Sequence, residues 1–128
     1  MFVSLLLAVT GLAQPAFSED PQQYSTWLQH GCRLQQVGYS GGEPADHTEF
    51  CACFDAHVSD AGDEATYRVF ALGMQGALRE RSLIEDWEGA RDTAAAEAGA
   101  MPLTAQAGFG QTLQDALLTC MPLSYQGE

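Results

Sequence analysis

Polar and apolar positions alternate with a helical period along most of the chain. Tyr24, Trp27, Leu28, Gly31 and Cys32 recur at i, i+3, i+4, i+7, i+8, one stripe of an amphipathic helix. Asp20-Pro21-Gln22-Gln23 precedes them with an acceptor at the N-cap and proline in the first turn, so a helix is predicted from about residue 20 until its pattern fades near Val37. VGYSGGEPA then reads as turn chemistry. Asp46-His47-Thr48-Glu49 has the form of a capping box and predicts a second helix, with Phe50, Cys53, Phe54, His57 and Ala61 on its apolar face, ending at Ala61-Gly62.

A third helix is predicted from Asp63 through Tyr67, Phe70, Met74 and Leu78. Gly73, Gly76 and Ala77 leave notches in it that admit a close neighbouring backbone or mark a kink. Ser82-Leu83-Ile84-Glu85 is a third capping box, predicting a restart into WEGARDTAAAEAG, a segment with few large apolar groups that belongs at the surface. Thr104 is placed to cap a last helix with Phe109, Leu113, Ala116, Leu117 and Cys120 on one stripe, ended by Pro122. No period-two run or hairpin signal occurs. The fold class expected is all-α: a compact bundle of about five short helices stapled by two disulfides.

The N-terminal stretch changes the picture of where this fold operates. MFVSLLLAVTGLAQPAFS is uncharged, and its apolar run from Phe2 to Ala13 is too short for a permanent bilayer span. It reads as a secretory signal peptide over residues 1–18, with Ala16 and Ser18 forming an A-x-S site that releases a single domain over 19–128. Cleavage after Ala13 is the alternative, and the missing positive n-region leaves an upstream start or a weak membrane anchor open. Export to a periplasm or the extracellular space follows, with no membrane association after cleavage. Four cysteines, an even number, then make two disulfides the default.

Charge narrows the partners. Seventeen acidic residues stand against five arginines, with no lysine, for a net charge of −12. Such a field opposes nucleic acid and anionic lipid and favours basic partner proteins, or serves solubility.

The densest candidate chemistry is HTEFCACFDAH, where His47, Cys51, Cys53 and His57 form His-x3-Cys-x-Cys-x3-His. A zinc site needs four ligands converging about 2.0–2.3 Å from the ion. At about 100° per residue, His47 and Cys51 share one face while Cys53 and His57 share another, and the histidines lie about 15 Å apart along the axis. A continuous helix therefore does not close these four on one ion. A Cys51–Cys53 bond would break the helix, and neither C-x-x-C nor C-x-x-C-H is present to support redox or haem chemistry. With Phe50, Phe54, His57 and Ala61 as the buried face, Cys51 falls about 90° to one side and Cys53 about 70° to the other. Each thiol thus faces a different neighbour. The pairing expected is Cys32–Cys51 with Cys53–Cys120, or Cys32–Cys53 with Cys51–Cys120. His57 is expected half-buried and His47 exposed.

GYSGG, residues 38–42, fits G-x-S-x-G with Ser40 in the nucleophile's place, but the nucleophile elbow requires a strand-to-helix turn in a large α/β sheet. Arg81 with Glu85, and Glu88 with Arg91, have the spacing of solvated helix ion pairs. No EF-hand loop is present, and no motif calls for a cofactor.

The expectation is a non-enzymatic exported binding or accessory module, in outline like many small inhibitors, immunity proteins and stress factors. Alternatives are a metal-handling protein using the His/Cys stretch and, more remotely, a small serine hydrolase using Ser40.

Overall fold

A computed structural model describes residues 17–127; nearly all of the expected signal segment, residues 1–16, lies outside them. Five α-helices form the body: α1 Pro21–Ser40, α2 Thr48–Ala61, α3 Glu64–Leu78, α4 Trp87–Ala100 and α5 Leu103–Cys120. Short 3-10 turns at Pro44–His47, Arg79–Arg81 and Met121–Leu123 join or follow them. Among the described residues there is no strand, and the all-α expectation holds.

Packing runs α4 on α3, α3 on α1, α1 on α2 and α2 on α5. The chain is thus a folded row of helices with α4 and α5 at its ends. Tyr24, Leu28 and Cys32 from α1, Phe54 and Val58 from α2 and Leu72 from α3 form the centre of the core. The Tyr24 and Tyr67 rings meet edge to face at 5.6 Å, the arrangement favoured by aromatic quadrupoles.

Two disulfides link this row. Cys32–Cys51 ties α1 to α2 and Cys53–Cys120 ties α2 to the end of α5, with Cα separations of 5.7 and 5.8 Å. Of the two pairings open in the sequence, the structure has the first, and the two sulfurs of α2 leave opposite flanks as the helical angles require.

Local chemistry sets the helix starts. Asp20 Oδ1 accepts from the Gln22 amide at 3.0 Å, the cap the sequence indicated, and Asp63 Oδ1 accepts from the Thr66 amide at 2.9 Å, at the helix start the sequence indicated. α1 runs on through Ser40, past the fading of its stripe.

Three starts differ from expectation. The box at Asp46 belongs one turn earlier: Asp46 Oδ2 accepts from the Glu43 amide at 2.8 Å and closes the 3-10 turn Pro44–His47, so α2 begins at Thr48. Ser82 caps no helix: its hydroxyl donates to Gln75 Oε1 at 2.7 Å and accepts from the Ile84 amide at 2.9 Å, but the turn does not continue, and α4 begins at Trp87, where Asp86 accepts from the Gly89 amide. α5 begins at Leu103, ahead of Thr104.

α4 lies closer to the body than its surface assignment implied. A methyl group on Gly76 would come within 2.7 Å of the Arg91 backbone, so α3 and α4 approach where Gly76 has no side chain. Ala90 and Ala94 are the buried residues of α4, and Ala94 lies against Gly73. The expected Arg81–Glu85 and Glu88–Arg91 pairs are replaced by Arg68–Glu97 at 2.9 Å and Arg91–Asp92 at 3.1 Å. Arg81 precedes α4 and shares no helix with Glu85.

Candidate functional site

The His/Cys stretch is divided by the fold. Both sulfurs lie in disulfides to other helices, so neither is a thiolate ligand. His47, expected to be exposed, is 1% exposed. Its Nε2–H donates to the Gly41 carbonyl at 2.8 Å, since a carbonyl only accepts. The Tyr125 ring covers it at 5.3 Å, edge to face. Its Nδ1 has no partner. Gly42, at φ 76°, makes room for this packing, because a side chain there would strike the Tyr125 ring. His47 therefore holds the α1–α2 loop to the C-terminal segment. His57 is half-buried, as expected. Among the described residues, no three His, Cys, Asp or Glu side chains are grouped to hold a metal ion.

Ser40 is the last residue of α1, at a helix end and not at a strand-to-helix turn. Nearby Asp46 and His47 are engaged with the Glu43 amide and the Gly41 carbonyl, and no nucleophile-base pair forms there.

Two buried polar clusters escaped the sequence reading. Asp55 Oδ1 accepts from the Tyr67 hydroxyl at 2.6 Å, and its Oδ2 accepts from Ser25 at 2.6 Å and Gln29 at 3.1 Å. This joins α1, α2 and α3 through one carboxylate. Burial, then the bond to Asp55, raises the Tyr67 hydroxyl's pKa above its ordinary value. Asp55 also rotates α2: Cys51, Asp55 and Val58 face inward beside Phe50 and Phe54, while Ala61 of the expected apolar face is exposed.

Gln75, fully buried, is the second centre. Its Nε2 donates to the Trp27 carbonyl at 2.7 Å and lies 3.3 Å from His30 Nδ1, while its Oε1 accepts from Ser82 Oγ and the Leu83 amide. Each amide atom is satisfied, which is what a buried amide requires. Burial, then the charges of Arg33 and Arg81, hold the His30 pKa below its usual value. Both clusters are closed, with hydrogen bonds directed at other parts of the fold.

The open feature lies between the far end of the row and its middle. α5 is pinned at its C-terminus by Cys53–Cys120 and touches α3 where Phe109 meets Phe70 edge to face at 5.6 Å. Between these points a groove of about 370 Å³ opens. Leu28 and Cys32 of α1 and Phe50 and Phe54 of α2 line its buried part. Val69, Phe70, Gly73, Met74 and Ala77 of α3 form one wall, Leu113 and Leu117 of α5 the other, with Gln35, Gln36 and Tyr39 of α1 at the mouth. None of these residues is charged at neutral pH. The α5 stripe expected in the core is therefore only partly buried: Ala116 and Cys120 are covered, but Leu113 is 39% and Leu117 38% exposed.

The volume sits at the lower end of the range for small-molecule sites, about 300–1,000 Å³, and mostly apolar walls with a few polar groups are typical of them. Among the described residues the lining holds no nucleophile-base pair.

Comparison with protein-family models, with curated proteins and with solved structures finds no match.

Proposed function

We propose that this is a non-enzymatic exported binding protein whose working surface is the apolar groove between α1, α3 and α5. One observation carries the reading: two leucines of α5 remain exposed on the wall of a cavity whose inner lining is continuous with the core. Apolar contact of this kind favours occupation, because each buried methylene contributes about 0.8 kcal/mol. The Cys53–Cys120 disulfide holds the end of α5 to α2 without filling the space between the walls.

A neutral environment-sensitive dye tests the proposal. N-phenyl-1-naphthylamine is expected to brighten on binding at one site per chain. Leu117→Gln and Ala77→Phe should weaken that signal while leaving the helical circular dichroism unchanged. Dye binding that is absent, or indifferent to both substitutions, would reject the groove as the working surface.

Export is proposed on the strength of two disulfides and the leader pattern; among the described residues no helix is long and apolar enough to cross a membrane. Phe17 packs against the core and the Ser18 carbonyl accepts from Arg68 Nη1 at 2.7 Å. Both contacts favour cleavage after Ala13, which retains them, over cleavage after Ser18. The N-terminal sequence of the exported protein should then begin at Gln14.

The acidic exterior supports a second, separate surface for a basic partner protein, since acidic residues are absent from the groove. Such an association would weaken steeply with salt, and a salt-insensitive complex would not be of this kind.

A further inference from the structure

The distribution of charge around the groove says what it holds. α1 contains no Asp or Glu in its twenty residues, and α5 contains only Asp115. The groove is thus an uncharged strip on a protein whose net charge is −12. All five arginines are elsewhere. Arg68 pairs with Glu97, Arg79 and Arg91 each stand 5.7 Å from the Trp87 ring, and Arg33 and Arg81 act electrostatically on His30. No cation lines the groove, so an anionic headgroup would meet the protein's field without a counter-charge.

The mouth favours the opposite sign. Tyr39 lies in the last turn of α1 and Gln36 just before it, and that turn carries no basic side chain. The Val37 carbonyl accepts from the Gly41 amide and the Gly41 carbonyl from His47 Nε2, but the carbonyls between them leave a partial negative charge at this end. Tyr39 is 80% exposed and lines the groove, presenting an aromatic ring to whatever projects from it. A carbonyl-rich helix end beside an aromatic face attracts an ammonium group through both the dipole and the ring quadrupole.

We infer that the occupant is a single-chain cationic amphiphile: its aliphatic tail lies between α1, α3 and α5, and its head sits at the carboxyl end of α1 beside Tyr39. This rests on the groove being the binding surface, and deepens it by naming the ligand's chemistry. The tail accounts for the uncharged apolar walls. The head accounts for the absence of arginine at the mouth.

The test is calorimetric titration of the full exported chain, below micelle-forming concentrations, with decyltrimethylammonium, 1-decanol and decanoate. At low salt the cation should bind at one site, about tenfold tighter than the alcohol, with decanoate weakest. Raising the salt to about 1 M should compress these differences, since screening then acts within about 3 Å. Lengthening the tail by one methylene inside the groove should tighten binding about fourfold. Ala77→Phe leaves the net charge unchanged and should abolish tight binding, which separates the groove from general attraction of a cation to an acidic surface. Tyr39→Leu, at an exposed position, should retain the decanol affinity and reduce the preference for the cation. Equal affinities for all three heads, each lost in Ala77→Phe, would overturn the cationic assignment and leave the groove reading standing. Binding that is absent, or unaffected by Ala77→Phe, would overturn both.

Discussion

α4 and α5 sit at opposite ends of the helix row and show two ways of attaching a terminal helix. α4 carries small residues: Ala90 and Ala94 are buried, Ala94 lies against Gly73, and the Arg91 backbone comes so close to Gly76 that one methyl group there would collide. α5 carries larger side chains and packs less completely: Phe109 reaches α3, Cys120 is bonded to Cys53, and Leu113 and Leu117 stand over open space. Close approach needs small side chains, whereas large ones bridged at two points leave room between. The α4 side is therefore closed, and the α5 side leaves the groove open.

Removing the α5 tether should produce the largest effect. Cys53→Ala with Cys120→Ala opens a loop of sequence separation 67 and should cost at most about 4 kcal/mol by the chain-entropy model. The Cys32–Cys51 pair, at separation 19, should cost at most about 3. Denaturant unfolding gives both values, and hydrogen exchange should show α5 losing protection first in the Cys53/Cys120 variant. If α4 lost protection equally, the two ends would not be attached independently.

Gln75→Leu comes next. It leaves the Leu83 amide and the Ser82 O–H without their acceptor and removes the extra donor to the Trp27 carbonyl, and leaving such donors unpaired costs about 1–3 kcal/mol. Gly76→Ala should cost about 1–3 kcal/mol through overpacking against Arg91. An alanine there that raises the melting temperature would mean the helices have slack. Leu117→Gln, on the open side, should change stability by no more than about 0.5 kcal/mol while weakening dye binding.

The smallest effect is pH-dependent and local to the α4 side. His30 has a pKa lowered by folding, so it stays neutral in the fold while the unfolded chain takes up a proton near 6.5. Its contribution is fully present above that pH and is lost as pH falls toward the folded value. His30→Asn should make the melting temperature fall less steeply as the pH drops below about 6.5. Identical slopes would show that His30 is solvated alike in both states.

These contrasts also mark what the sequence disclosed. The cap at Asp20, the helix start at Asp63, the glycine notch at Gly76 and the divergence of Cys51 from Cys53 all follow from local chemistry and the helical period, and each was legible. Asp55 and Gln75 were not, because their burial depends on partners contributed by other helices, beyond the reach of any local pattern. The same limit explains His47, which is buried by Tyr125, seventy-eight residues away by numbering. The groove was half visible. The periodicity placed Leu113 and Leu117 on the stripe of Ala116 and Cys120, but only the arrangement of α5 against α3 leaves them uncovered. Ser82 misled because the turn its hydroxyl closes with the Ile84 amide is held to Gln75 and does not run on into a helix.

Methyl-resolved NMR titration with decyltrimethylammonium tests the central claim most directly. If the groove is the binding surface, the Leu28, Val69, Leu113 and Leu117 methyls should shift together and saturate at one equivalent, while those of Ala90 and Ala94 in the closed α4 contact stay fixed. Shifts that spread over the acidic surface, or that reach Ala90 and Ala94 as strongly as Leu117, would contradict it.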